Sequence, residues 1–131
     1  MVKILLIDDE GISIADTSFY ISYYIKDISI TVHRNCSDAI QAFRNEAFDL
    51  IITDIQLPKG EYQFAKERQD LRYGLDILAI IRQELPNQKV ICLSIHHKET
   101  LGDVCNMNVH HVCKTVDGAF DELINLIKLL V

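Results

Sequence analysis

Apolar residues in this chain fall into five short unbroken runs separated by longer stretches with helical spacing. The runs are Val2 to Ile7, Ile28 to His33, Leu50-Ile51-Ile52 closing on Thr53 and Asp54, Lys89 to Ser94, and Val109 to Cys113. Their length and β-branched content predict strands, and their lack of polar alternation predicts burial on both faces. Between them the spacing predicts helices. Ile12 to Ile25 places Ile12, Ala15, Phe19 and Tyr23 on one stripe. Asp38 to Glu46, capped by Ser37, presents Ile40, Ala42 and Phe43. Gly74 to Leu85 presents Leu75, Leu78, Ile81 and Leu85 before Pro86 ends it. A short helix over 97–105 has only Leu101, Val104 and Cys105 to bury, and Asp117 to Leu130 presents Phe120, Leu123, Ile124 and Ile127. The pattern is (βα)5. It implies an α/β fold in three layers, a parallel sheet with helices on both faces. Periodicity does not give the strand order.

At 131 residues, 49% of them hydrophobic, the chain is expected to form a single domain over 1–131 with one core. Nineteen acids against thirteen bases give a net charge of −6, which argues against a nucleic-acid partner held through its phosphates. The cysteines at 36, 92, 105 and 113 form no CxxC pair and read as reduced thiols of a cytoplasmic protein. No apolar run approaches the length of a membrane span or a signal peptide, so no membrane association is expected.

The chemistry lies where the strands end. In a parallel sheet the carboxyl edge collects Asp8 and Asp9 from the first strand, Asp54 from the third, Ser94 from the fourth and Lys114 from the fifth. Taken singly, these are a helix cap, a strand-end hydroxyl and a solvated lysine. Taken together they are three acids facing an amine and a hydroxyl. Crowded carboxylates call for a compensating cation, and Mg2+, with its preference for oxygen ligands, suits them. Lysine and serine opposite it suit a phosphoryl group.

In order and type, this set resembles the receiver domain of bacterial two-component response regulators. The correspondence is the Asp8-Asp9 pair after the first strand, the D-x-x-x-P of Asp54 to Pro58, Ser94 after the fourth strand and Lys114 after the fifth. The resemblance covers nearly the whole chain. It implies a flavodoxin-like sheet in the order 2-1-3-4-5. It also implies phosphorylation of Asp54 by a histidine kinase or histidine phosphotransfer protein, with Mg2+ held by Asp9, Asp54 and the Gln56 carbonyl and with Asp8 acting through water. Ser94, Lys114 and His111 would bind phosphate and switch, and Gln56 and His96 would flank the path of attacking water. A downstream protein would read the face formed by the fourth helix, the fifth strand and the fifth helix. Self-association into a homodimer is a further expectation.

Four departures from the family pattern stand out. Lys114 is followed by Thr115 instead of a cis proline, so the 114–115 bond is expected to be trans. Ile95 replaces a small residue. His111 replaces the switch aromatic and is expected to point outward, because burying an imidazole requires partners for its nitrogens. About a dozen extra residues lengthen the loop after the third strand, from Lys59 to Tyr73, either as a solvated loop or as a second output surface. Of the histidine pairs 96/97 and 110/111, at most one member each could contribute to a zinc site, since neighbours on a strand face opposite ways. The chain is expected not to be an enzyme: a phosphohydrolase with an aspartate nucleophile would need an acid where Gln56 stands. The alternative to a phosphoacceptor is a phosphorylation-independent interaction module gated by the 59–73 insertion.

Overall fold

The computed structural model describes residues 1–95 and 109–131. Strands β1 (Val2–Ile7), β2 (Ile28–His33), β3 (Leu50–Thr53), β4 (Val90–Ser94) and β5 (His110–Cys113) form one parallel sheet in the order β2-β1-β3-β4-β5. Every residue of β3 and β4 is buried, as expected of central strands that are apolar on both faces. The edge strand β2 is partly exposed along its whole length.

Side chains alternate across the sheet, so each central strand feeds two cores. Leu5, Ile7 and Ile51 pack with α2 (Cys36–Asn45) and α3 (Gly74–Glu84). Ile4, Leu6, Leu50 and Ile52 pack with α1 (Gly11–Tyr24) and α4 (Ala119–Leu130). This is the expected three-layer arrangement. The helix expected over 97–105 lies outside the described residues.

The helices depart from expectation in three places. The stripe Ile12, Ala15, Phe19 and Tyr23 of α1 faces outward, and the helix buries Thr17 and Ile21, with Ile14 partly covered. Its sequence is apolar almost all round, so spacing alone does not say which side meets the sheet. Helix α2 is capped by Asn35, whose Oδ1 accepts the Asp38 N–H at 2.9 Å, while Ser37 lies inside the helix. Helix α4 begins at Ala119, after Gly118 takes a φ of 80° that an L side chain rarely adopts.

Candidate functional site

The register brings the strand ends together. Ile7 pairs with Thr53, Thr53 with Cys92, and Ser94 with Cys113. The residues that follow, Asp8, Asp54 and Lys114, therefore leave the sheet at one edge. Lys114 donates from Nζ to Asp54 Oδ2 at 3.1 Å, to Asp8 Oδ2 at 3.2 Å and to Ser13 Oγ at 2.8 Å. Ser13, in the first turn of α1, in turn donates its hydroxyl to Asp8 Oδ2 at 2.7 Å. Asp8 is buried and also accepts the Glu10 N–H at 3.0 Å. Asp54 Oδ1 accepts the Ile55 N–H at 2.7 Å. The Lys114 side chain is 17% exposed and that of Asp54 13%, enough for a small group to reach the free side of the carboxylate.

Burial is the largest influence on both partners of the ion pair. It raises the Asp54 pKa; the charge and hydrogen bond of Lys114 oppose this, nearby Asp8 adds to it, and the carboxyl stays above its ordinary value. For Lys114 burial acts downward, but the charges of Asp54 and Asp8 and their hydrogen bonds outweigh it, so its pKa is raised. The lysine is an ammonium at neutral pH. Cys92 is pushed up to about 12 by burial and by the charge of Asp54, which keeps it a protonated thiol and a poor nucleophile at neutral pH.

Ser94 is fully buried, one strand beyond β3, and its main-chain oxygen accepts the Lys114 N–H at 2.7 Å. Its hydroxyl stands 3.5 Å from Nε2 of His111. His111 is thus half-buried and turned toward Ser94, contrary to the outward orientation expected of it, while His110 is exposed. The serine hydroxyl gives the ring nitrogen a polar neighbour and reduces the cost of burying it. The Lys114–Thr115 bond is trans, as expected.

Asp9 and Gln56 lie exposed at the rim. Arg34 donates to the Asp9 carbonyl at 2.8 Å, and the Gln56 amide reaches the Asp70 carbonyl at 3.4 Å. His96 is outside the described residues. Sequence reasoning missed Ser13, which sits on neither apolar stripe; its only signal was a hydroxyl one helical turn past an acidic pair. Among the described residues, no three His, Cys, Asp or Glu side chains gather as a ready-made cation cage. Mg2+ does not need one, since it takes one or two carboxylates and completes its shell with water. The side-chain acceptors at this edge are oxygens, and the donor set fits that ion.

The 59–73 insertion is an ordered strap. Its start, with the adjoining Pro58, holds the beginning of α2: Cys36 N–H donates to Pro58 O at 3.0 Å and Ser37 N–H to Lys59 O at 3.1 Å. Its end, with the adjoining Gly74 of α3, holds the loop after Asp54: Leu57 N–H donates to Leu71 O and Gly74 N–H to Ile55 O, each at 2.8 Å. A Cβ on Gly74 would stand 2.3 Å from the Asp54 carbonyl oxygen, so only glycine lets α3 start so close to the acid. Phe64 stacks on Tyr73 and meets Tyr62 with tilted rings, and Arg68 pairs with Asp76 of α3 at 2.5 Å.

The model of the response regulator receiver domain matches residues 4–126. The chain belongs to this family. Receiver domains are signalling domains that work with histidine kinases and downstream effectors, and Mg2+ is typical of them. Among solved structures, RcsB of Salmonella enterica serovar Typhimurium, bound to the rprA promoter with phosphomimetic BeF3−, is 16% identical, with a TM-score of 0.78 over 99% of this chain and 68% of RcsB. DrrB of Thermotoga maritima, an OmpR/PhoB homologue, is 20% identical, with a TM-score of 0.73 over 98% of this chain. The receiver spans only 51% of DrrB. TrrA of the same organism, in complex with Mg2+ and beryllium fluoride, is 25% identical over the full length of both chains, with a TM-score of 0.72. No curated protein matches. Among the described residues, no helix is long and apolar enough to cross a membrane.

Proposed function

We propose that this receiver accepts a phosphoryl group on Asp54 from a histidine kinase or histidine phosphotransfer protein and so switches the surface it offers a downstream partner. The observation that carries this reading is the Asp54 carboxylate at the end of β3, ion-paired to Lys114 at 3.1 Å and open on one side.

Asp9, Asp54 and the Gln56 main-chain carbonyl would hold Mg2+, with Asp8 acting through water; bound there, the ion neutralises the crowded carboxylates and the incoming phosphoryl oxygens. An Asp54 carboxylate oxygen attacks phosphorus, the donor's P–N bond breaks, and its electron pair returns to the imidazole, which takes up a proton. Lys114 already lies within hydrogen-bonding distance of that oxygen and offsets the charge that arrives, with no reorganisation of the amine. The Ser94 hydroxyl exchanges its place beside His111 for a phosphoryl oxygen, and His111 follows or releases it. Gln56, exposed two residues after the acceptor, and His96 tune how long the acyl phosphate survives.

The test is intact mass after incubation with Mg2+ and acetyl phosphate. Wild type should gain one phosphoryl group, and neither Asp54→Asn nor protein treated with a chelator should gain one. Full modification of Asp54→Asn would move the acceptor elsewhere. An unmodified wild type, from small donors and kinases alike, would favour the phosphorylation-independent interaction module.

A further inference from the structure

A polar cavity of about 250 Å3 lies at the amino edge of the sheet, opposite the acceptor. Its lining comes from Arg82 of α3, the 86–89 loop, Val90 and His110 at the starts of β4 and β5, and Leu130 of α4. The length of a five-residue strand, about 15 Å, separates it from the carboxyl edge where Asp54 stands.

The charge of this cavity is opposite to that of the molecule. The chain has nineteen acids against thirteen bases, yet among the described residues the lining holds Arg82, Lys89 and His110 and no Asp or Glu. Glu84, two residues from Arg82, is taken by Arg44 through bonds of 2.9 and 2.6 Å. Arg44, Arg68 and Arg72 are all paired with carboxylates. Arg82 is not. Its Nη1 donates to Pro86 O at 3.1 Å, and its Nε is buried with no acceptor. Burial pulls its pKa down, with no counter-charge to oppose the shift. A buried N–H without an acceptor is costly, and folded proteins keep few of them.

Both cationic heads are anchored at the cavity. Lys89 donates from Nζ to Leu130 O at the end of α4, as Arg82 does to Pro86 O. Each anchor uses one donor. The ammonium keeps two protons, and the guanidinium keeps the edge formed by Nε and Nη2, which suits two oxygens of one phosphate side by side. An oxyanion supplies the acceptor that this edge lacks once the partly exposed side chain turns toward it. Exposed His110 adds a ring N–H in either protonation state.

Size and charge then select the ligand. The volume equals that of about eight waters and falls below the roughly 300–1,000 Å3 of sites for drug-sized molecules. A phosphate with a short organic group fits; a peptide or a nucleic-acid strand does not. Two fixed cations match a dianion, whereas a carboxylate would leave one of them uncompensated. We propose that this cavity binds a phosphate dianion, free or as the ester of a small alcohol, independently of phosphorylation at Asp54.

Titration of the full chain with glycerol 3-phosphate, inorganic phosphate and acetate, followed by amide chemical shifts, tests this. A chelator is present throughout, so that no Mg2+ recruits phosphate to Asp54. Glycerol 3-phosphate should bind saturably, with shifts centred on Gln88, Lys89, Val90 and His110. Arg82→Gln and Lys89→Gln should each weaken it roughly tenfold or more, the loss expected of one charge-assisted hydrogen bond, and acetate should bind wild type weaker by a similar factor. Thermal melting without ligand controls for folding, and exposed Lys89 keeps the test standing if Arg82→Gln does not fold. An ester that binds more tightly than inorganic phosphate identifies a small phosphorylated molecule as the ligand, and equal binding identifies the free ion; either supports the site. The proposal is overturned if neither phosphate saturates, if acetate binds as tightly, or if the Lys89 variant keeps wild-type affinity. Shifts centred on Lys114 also overturn it, since the phosphate then sits at the acceptor edge.

Discussion

An ammonium has three protons, and Lys114 directs its three toward Asp8, Asp54 and Ser13. Ser13 accepts from the lysine and donates to Asp8, so it closes a ring of charge-assisted hydrogen bonds beneath the acceptor. Ser13→Ala should cost about 1.5–3 kcal/mol, the range for a hydrogen bond to a charged group, and should slow phosphorylation by loosening the amine. Ser13→Thr should restore both; an unchanged urea midpoint in the alanine variant would show that water replaces the hydroxyl. For Asp54 the linkage runs against stability. Its carboxyl lies above the ordinary value even with Lys114 counted, so ionising it weakens the fold. Below the unfolded-state carboxylate pKa of about 3.9, the acid is protonated folded and unfolded, and the penalty is absent. As pH rises through the raised folded value the penalty develops in full. Asp54→Asn should therefore melt above wild type at pH 7 and lose that advantage as the pH falls into the carboxylate range. A variant less stable than wild type at pH 7 would mean that the ion pair outweighs burial. Function and stability pull in opposite directions at this position.

At the scale of elements, the strands were legible because a run such as Leu50-Ile51-Ile52 buried on both faces has one reading, and the acid that closes it marks the edge where chemistry collects. The acidic pair, Asp54 and Lys114 could be placed for that reason. The helices were less legible. Helix α2 was located but its cap was misplaced, since Asn35 and Ser37 are both capping residues two positions apart and only the backbone decides between them. Asn35→Ala should cost about 1 kcal/mol through the lost Asp38 N–H bond, and Ser37→Ala less, by thermal melting; the reverse order would return the cap to Ser37. Helix α1 was assigned the wrong inward face because a helix apolar on every side leaves spacing nothing to choose between. The excess of apolar residues that hid the answer is what leaves an aromatic stripe in water. His111 misled for the opposite reason: its polarity predicted exposure, and the hydroxyl that makes burial tolerable comes from β4, seventeen residues away in sequence.

At the scale of the molecule, the 59–73 strap joins the acceptor loop to two helices, and its length is better explained by that linkage than by solvation. One end is bonded to the start of α2, and the other, with the adjoining Gly74, to Leu57 and Ile55 of the loop that follows Asp54. Between them Phe64 stacks on Tyr73 at 5.1 Å and meets Tyr62 at 4.6 Å with the rings tilted. Buried Tyr73 accepts the Arg68 N–H at 2.8 Å, and Arg68 pairs with Asp76 of α3. A change of charge on Asp54 acts on the Ile55 N–H it already holds, and the next residues along are the ones the strap grips. Phe64 is only partly buried, so Phe64→Ala should cost about 2 kcal/mol, below the 3–5 kcal/mol of a fully buried phenylalanine. The loss should be local. Amide exchange at Leu57 and Gly74 should accelerate, while β1 and β3, held by the sheet, keep their protection. Adding beryllium fluoride and Mg2+ to wild type should slow exchange at the same two amides, and the Phe64 variant should blunt that response. If those amides ignore both the substitution and the phosphoryl analogue, the strap is passive packing, and any signal leaves the site through Ser94 and His111 instead.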